Sequence, residues 1–189
     1  MILTVDSSAL SLLINPAAEP PKDPATGEPV THARERVLAL IEGMSTSDIV
    51  VVPTPVLAEV LVKAEEGAPG VLEQLQGQAR VRVRPFDERA AVEVALMTRE
   101  ALTSGDKRTG SDQPWQKVKF DRQIIAIARV SGASRIYADD RGLVSFARSL
   151  GIEVVSTWEL PVPEGANNLF TAAGLECDGR RSDEAGEPT

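Results

Sequence analysis

The chain has 189 residues, a formal net charge of −8 and 42% hydrophobic residues. This composition is typical of a soluble globular protein and argues against broad electrostatic attraction to nucleic acid. Only one histidine and one cysteine, His32 and Cys177, are available, which argues against thiolate zinc clusters, an intramolecular disulfide and Ser-His-Asp catalysis. No apolar run approaches membrane-spanning length and the start lacks a basic signal-peptide region, so we expect a cytoplasmic protein without a membrane contact.

Strand-like and helix-like segments alternate along the first 160 residues. A strand over residues 1–5 ends at Asp6 and leads into a helix. A proline-rich insertion at 16–30 follows, which we predict to be an extended or mobile loop outside the core. A β-branched strand at 49–52 and further helix-strand units continue to a last strand at 152–155. This alternation predicts an α/β fold with a mainly parallel sheet covered by helices on both faces.

The last 29 residues, 161–189, differ in composition from the rest. Pro, Gly, Asn and acidic residues dominate, with six acidic side chains against two arginines. We therefore predict one domain over residues 1–160 and an acidic, disordered tail. Since half of the net charge lies in this tail, much of the remainder could be a carboxylate cluster that a cation neutralises.

Acidic side chains recur where predicted strands end or the following helices begin. The residues are Asp6, Glu59, Asp121, Asp139 and Asp140. Because parallel strands place their carboxyl ends at one edge of a sheet, we expect these side chains to meet there. Each also has a plainer structural interpretation: helix N-caps for Asp6 and Asp121, the latter placed in the opening turn of its helix, turn residues for the final pair, and a solvated helix flank for Glu59.

Grouped carboxylates repel one another unless a cation offsets their charge. Oxygen ligands without imidazole or thiolate favour Mg²⁺ or Mn²⁺ over zinc. Such an ion can polarise a phosphodiester and lower the pKa of a bound water, so the protein needs no nucleophile of its own. Hydrolysis of a nucleic-acid backbone suits this site, although phosphatase chemistry on a small molecule would use similar parts.

A polar segment at 103–119 precedes Asp121 and is predicted to be a loop. Its aromatic and basic candidates for RNA contact are Lys107, Arg108, Trp115, Lys117 and Lys119. One interpretation is a disordered basic loop. The other is a flap that contacts phosphate groups, with Trp115 stacking on a base.

Four segments, in this order, resemble the motifs of the PIN-domain nucleases, a group that includes the VapC-type toxin ribonucleases. They read VDSSAL at 5–10, PTPVLAEVL at 53–61, FDRQIIAIA at 120–128 and IYADDRGL at 136–143. The resemblance spans residues 1–160 and implies a PIN-like three-layer α/β/α sandwich with metal-dependent endoribonuclease activity.

The resemblance also implies roles for the acidic residues. It makes Asp6 and Asp121 direct ligands of Mg²⁺ or Mn²⁺, with Glu59 and a fourth acid binding the metal directly or through water. The last motif of the family commonly reads Thr/Ser-x-Asp, which makes Asp140 the fourth acid and Asp139 its close competitor. Ala138 stands at the position of the usual hydroxyl residue.

For a toxin, the resemblance further implies an RNA substrate, a cognate antitoxin that covers the acidic site, and a homodimer. The insertion and the tail make this chain longer than compact toxin-type members. A PIN-like binding module that has lost catalysis and acts as a scaffold is the alternative. Ala138 and the net negative charge motivate it.

Overall fold

A single sheet of five parallel strands runs through the structure, a computed structural model that describes residues 1–164. The strands are β1 (Ile2–Val5), β2 (Ile49–Pro53), β3 (Val81–Arg84), β4 (Arg135–Tyr137) and β5 (Glu153–Val155). Their order in the sheet is β3-β2-β1-β4-β5. Residues 165–189, which make up most of the predicted tail and include Cys177, lie outside the described residues.

The central strand β1 pairs with β2 on one side and β4 on the other. Thr4 lies opposite Val51 in β2 and Ile136 in β4. The chain moves from β1 outward to β3, then returns across β1 to β4 and β5. Right-handed crossovers in these two opposite directions place helices on both faces of the sheet. The predicted three-layer α/β/α architecture is confirmed, and β1 and β4 end side by side.

Seven α-helices connect the strands within the described residues. They are α1 (Ser7–Ile14), α2 (Ala33–Glu42), α3 (Thr54–Ala64), α4 (Ala68–Gln76), α5 (Glu88–Thr103), α6 (Trp115–Val130) and α7 (Arg141–Ser149), with short 3-10 turns at Glu65–Gly67 and Thr157–Glu159. None of the helices in residues 1–164 is both long and apolar enough to cross a membrane.

Helix α6 is the most deeply buried helix next to the sheet. Its residues 124–128 are all buried, as expected for a helix that is apolar on every side over this stretch. Gly132, two residues beyond the last residue of α6, has a positive φ of 71° and ends the helix as predicted. The core therefore fixes the position of every side chain that α6 carries toward the ends of β1 and β4.

The proline-rich insertion is more ordered than the sequence predicts. Lys22 and Pro29 form an antiparallel bridge, and the amide of Asp23 donates to the carbonyl of Glu28 over 2.9 Å. Val30, at the end of the insertion, is buried in the core. These backbone hydrogen bonds close the insertion on itself, and the expectation that the whole of it lies outside the core is wrong for its last residue, Val30.

Candidate active site

Asp6 and Asp139 lie side by side where β1 and β4 end. The Oδ1 atom of Asp6 accepts hydrogen bonds from the amide of Ala9 and the hydroxyl of Ser8, both over 2.8 Å. Its Oδ2 atom accepts a hydrogen bond from the amide of Asp139 over 3.0 Å. Asp6 thus caps α1, as its structural interpretation predicts, and also links the ends of the two strands.

Asp139 is held by the segment that follows β5. The amide of Thr157 donates to Asp139 Oδ1 over 2.7 Å, and the Thr157 hydroxyl donates to Oδ2 over 2.6 Å. Because the Thr157 hydroxyl gives its proton to Asp139, it accepts a hydrogen bond from the hydroxyl of Tyr137. Ser8 lies 3.2 Å from Asp139 Oδ2 and joins this network to Asp6. These bonds give Asp139 a clear structural role.

Asp121 and Asp140 form a second group, with Lys117 between them. Lys117 Nζ lies 3.2 Å from Asp121 Oδ1 and 3.4 Å from Asp140 Oδ2. Asp140 Oδ1 accepts a hydrogen bond from the amide of Leu143 over 3.0 Å and caps α7. A Cβ atom at Gly142 would lie 3.2 Å from Asp140 Oδ1 and 3.5 Å from Asp121 Oδ2. Glycine at this position lets the start of α7 approach both carboxylates.

Glu59 lies at the outer side of this second group. It is half-buried on α3, and its Oε1 atom pairs with Lys63 Nζ over 2.9 Å, one helical turn later. Its charge nevertheless contributes to raising the pKa of Asp121, so it acts on the same group of carboxylates. Glu59 therefore forms a partly exposed ion pair, as expected for a solvated helix flank, and also lies close enough to the candidate site to affect Asp121.

The fold makes two of these aspartates unusually hard to ionise. Burial raises the pKa of Asp6 to about 6, helped by the charge of Asp139 and opposed by the hydrogen bonds from Ala9 and Ser8. Burial likewise raises the pKa of Asp121 to about 6, opposed by Lys117 and helped by the charges of Asp140 and Glu59. Buried carboxylates with raised pKa values are a common feature of functional sites.

Burial also raises the pKa of Asp139, against the hydrogen bonds from Thr157 and Ser8. The pKa of Lys117 is also raised, which for a lysine favours the charged form. Burial disfavours its charge, but the carboxylates of Asp121 and Asp140 outweigh this effect and raise its pKa above the ordinary value. Lys117 is therefore a fully charged ammonium in the middle of the second group at neutral pH.

The structure corrects the expectation that all five acids meet at one point. Within residues 1–164, no group of three or more His, Cys, Asp or Glu side chains is arranged to hold one metal ion. Asp6 and Asp139 are drawn together by the hydrogen bonds between β1 and β4. Asp121 on α6 and Asp140 at the start of α7 contact Lys117, whereas Glu59 on α3 pairs with Lys63.

The second group nevertheless has the chemistry of a cation site. Asp121 Oδ1 is buried, and apart from the ammonium of Lys117 it has no hydrogen-bond donor among the described residues. Asp121 and Asp140 supply hard oxygen atoms of the kind that Mg²⁺ and Mn²⁺ prefer, and a positive charge is already drawn to them. Two such carboxylates together with water can hold a divalent cation, and Glu59 and Asp6 are the remaining predicted ligands.

The predicted basic loop is shorter than expected. Trp115, Lys117 and Lys119 lie in the first two turns of α6, and Asp121 lies two residues after Lys119. The prediction of a loop up to residue 119, with Asp121 opening the helix, is therefore wrong. Pro114 at the N-cap position starts the helix earlier, and the polar first turns hide the helical pattern of apolar residues.

The side chain of Trp115 is engaged within the protein. Lys107 Nζ lies 4.3 Å from the centre of the Trp115 ring, and the guanidinium of Arg122 lies 5.2 Å from it. These cation–π contacts replace the free ring that base stacking requires. Of the other predicted RNA contacts, Lys107, Arg108 and Lys119 are exposed, whereas Lys117 is directed into the acidic group.

Arg122 is a residue that the sequence analysis does not single out. Its side chain is completely buried. Its guanidinium donates to the Thr98 hydroxyl over 3.0 Å, the Lys107 carbonyl over 2.8 Å and the Thr109 hydroxyl over 3.1 Å. The available signal was its spacing of four residues from the apolar Val118 and Ala126, which places it on the inward side of α6.

No protein-family model and no curated protein sequence matches the chain. Solved structures match its fold. The structure of VapBC-1 from nontypeable Haemophilus influenzae has a TM-score of 0.54 and 13% identity, covering 83% of this chain and 98% of that one. VapBC2 from Rickettsia felis, bound to a promoter DNA fragment, has a TM-score of 0.53 and 12% identity over 82% and 98% of the two chains.

A third solved structure is that of VapC20 from Mycobacterium tuberculosis, described as a toxin that cleaves the sarcin-ricin loop. It has a TM-score of 0.50 and 17% identity, covering 76% of this chain and 94% of that one. At these identities the similarity concerns the fold. The protein therefore has the PIN-like fold of the VapC toxins, as the four motifs in its sequence predict.

Proposed function

We propose that this chain is a divalent-metal-dependent endoribonuclease of the cytoplasm, and the toxin of a type II toxin–antitoxin pair. The observation that carries the proposal is the acidic group of Asp121 and Asp140 around the ammonium of Lys117, at the edge where β1 and β4 end in aspartates. The fold of the VapC toxins supports it, since one of the similar structures is a toxin described as cleaving the sarcin-ricin loop.

In this proposal the chain's own residues create the place for the reaction. Asp121 and Asp140 would hold a Mg²⁺ or Mn²⁺ ion, with Glu59 and Asp6 contributing directly or through water. When bound, the ion supplies activation of water and neutralises charge on the phosphodiester. Asp6 is kept in one orientation by Ala9, Ser8 and the amide of Asp139, so its carboxylate needs no reorganisation before the reaction.

The exposed cations near the site would bind the RNA backbone. Lys107, Arg108 and Lys119 are exposed around the start of α6. Contacts from lysine and arginine to phosphates supply affinity without sequence specificity. They offset the negative charge of the domain only locally, so we propose that RNA binding is weak and strongly dependent on salt.

A protein partner is part of the proposal. Two of the similar structures are of VapBC, the complexes of their toxins. By analogy we propose a cognate antitoxin that covers the acidic group, and a homodimer of this chain. Expressing the chain alone should arrest growth of the host cell, and co-expression of the antitoxin should relieve the arrest.

A matched pair of substitutions tests the catalytic role of the acidic group. Asp140→Asn removes a charge from the site but keeps the Oδ1 atom that caps α7. Asp87→Asn makes the same change at the cap of α5, where Oδ1 accepts a hydrogen bond from the amide of Ala90 over 2.9 Å. We expect Asp140→Asn to lower RNA cleavage about 100-fold and Asp87→Asn to leave it unchanged, in an assay with Mn²⁺.

The same pair gives the outcome that contradicts the proposal. Both variants should unfold at nearly the temperature of the unmodified chain, because each keeps its cap. Equal cleavage by the two variants would show that Asp140 takes no part in the reaction. Cleavage that persists in excess EDTA would argue against a metal-dependent enzyme.

The second candidate function is a binding module that has lost catalysis. Ala138 in place of a hydroxyl residue and the ammonium of Lys117 within the acidic group favour it. Calorimetric titration with Mn²⁺ distinguishes the two functions. Absence of binding at millimolar Mn²⁺ would favour the scaffold, whereas binding together with RNA cleavage would exclude it.

A further inference from the structure

Lys117 is positioned differently from every other basic residue near the site. It lies one turn before Asp121 on α6, and its ammonium contacts the carboxylates of both Asp121 and Asp140. These two residues come from different helices, so Lys117 also connects α6 to the start of α7. The lysine therefore occupies the point between the two carboxylates where a metal ion would be held.

The contacts of Lys117 are those of a cation that can leave. Asp121 Oδ1 and Asp140 Oδ2 lie 3.2 Å and 3.4 Å from the ammonium, and no other group of the described residues donates a hydrogen bond to Asp121 Oδ1. The side chains of Lys117 and Asp140 are 36% and 35% exposed. A rotation of the lysine side chain can thus move the ammonium into water without disturbing the core.

The carboxylates would remain in place after such a rotation. Asp140 is fixed by the hydrogen bond from Leu143 to its other oxygen atom, and Asp121 lies on the most buried helix of the fold. Its charge would then be uncompensated in a buried position, which is unfavourable until another cation arrives. A divalent ion carries more charge than the ammonium that it replaces and gains more from the same carboxylates.

We propose that the ammonium of Lys117 is a built-in competitor for the divalent cation, which closes the acidic site until the cation displaces it. Lys117 would then set the metal concentration at which the site is occupied. This inference rests on the proposed function, because it assumes that Asp121 and Asp140 bind a metal ion. It gives Lys117 a role at the metal site in place of the RNA contact that the sequence suggests.

Calorimetric titration with Mn²⁺ tests this role in four forms of the full chain. Lys117→Met removes the competing charge and keeps a residue of good helix propensity, whereas Lys117→Arg keeps a charge. Lys119→Met is the matched control, since it removes an exposed lysine two residues away on the same helix.

We expect Lys117→Met to bind Mn²⁺ about tenfold more tightly than the unmodified chain. In the unmodified chain the metal must first break the two ion pairs of Lys117, and breaking two weak ion pairs costs about a factor of ten in affinity. Lys117→Arg should bind no more tightly than the unmodified chain, and Lys119→Met should bind equally. Unchanged or weaker binding by Lys117→Met would overturn the proposal, because a lysine that merely positions the carboxylates would aid metal binding.

Thermal unfolding supplies an independent readout. In EDTA, Lys117→Met should unfold at a lower temperature than the unmodified chain, because the carboxylates lose their only close ammonium among the described residues. Saturating Mn²⁺ should raise its unfolding temperature by more than it raises that of the unmodified chain, since stabilisation follows metal affinity. An equal rise in both chains would contradict competition.

The results separate this inference from the proposed function. If the unmodified chain binds Mn²⁺ and cleaves RNA while Lys117→Met binds Mn²⁺ with the same affinity, the competition fails and the ribonuclease stands. If no form binds Mn²⁺, both fail together.

Discussion

Burial works against ionisation at three aspartates, Asp6, Asp121 and Asp139, and its effect is large at the first two. Asp6 and Asp121 each have an ordinary pKa of 3.8 that burial raises to about 6. Because the folded-state pKa is above the unfolded value, the folded chain binds more protons between these two pH values. Each carboxylate therefore lowers the free energy of unfolding as pH rises from 3.8 to about 6, and the full penalty is present at neutral pH.

The pH dependence of stability tests the burial of Asp121. In EDTA, the free energy of unfolding of Asp121→Asn, relative to the unmodified chain, should rise by about 1 kcal/mol between about pH 5 and 7.5. The amide has no charge to bury, so only the unmodified chain acquires the penalty. Urea unfolding at the two pH values measures this difference. A constant or falling difference would show that Asp121 ionises at its ordinary pKa.

Helix α6 carries three side chains of the site on neighbouring turns. Lys117 supplies the cation, Asp121 supplies the most buried carboxylate of the second group, and Arg122 holds the preceding loop at Lys107 and Thr109. Arg122 also lies 5.5 Å from the ring of Phe146 on α7. The loop, α6 and α7 are therefore fixed relative to one another by one buried guanidinium, next to the acidic group.

Substituting Arg122 tests this element. Arg122→Met removes three hydrogen bonds and leaves their acceptors without partners, so we expect a loss of about 2–4 kcal/mol in the free energy of unfolding. Arg129→Met on the same helix removes only a surface pair with Glu93 and should cost less than about 1 kcal/mol. Limited trypsin digestion should cut after Lys107 or Arg108 faster in Arg122→Met alone.

The digestion result has a clear opposite. If Arg122→Met and Arg129→Met are cut in the loop at equal rates, the guanidinium does not hold the loop. A large loss of stability without faster cutting would place its role in packing between α6 and α7.

At the scale of the whole molecule, the central strands are more deeply buried than the edge strand β3. Val52 in β2 is completely buried, whereas its partner Val83 in the edge strand β3 is 42% exposed. The two residues are paired across neighbouring strands, but one lies in the core and the other is exposed to solvent. The sequence predicts this difference, because β2 is a continuous β-branched run and β3 alternates with arginines.

The same truncation at the two positions should therefore have unequal effects. Val52→Ala should lower the free energy of unfolding by about 2 kcal/mol, because it leaves a cavity that the core cannot fill. Val83→Ala should change it by less than about 0.5 kcal/mol. Urea denaturation with equal m-values in the two variants makes the comparison valid. Equal losses would mean that β3 is covered, for example by a second chain.

The sequence by itself determined the strands, most of the helices and the positions of the aspartates at strand ends. These features depend on local rules: β-branched runs, helical spacing and the residues that follow a strand. The parallel sheet follows from the alternation of elements, and the meeting of Asp6 with the end of β4 follows from the pairing of β1 with β4.

Only the tertiary structure decided that the acidic residues form two separate groups and which basic side chains pair with them. Thr157 reaches Asp139 from 18 residues away along the chain, and Lys117 reaches Asp140 from a different helix. The burial of Arg122 depends on the loop and on α5, which cover a side chain that would be exposed on an isolated helix. Such contacts depend on which helix faces pack together, and no local pattern of residues contains that information.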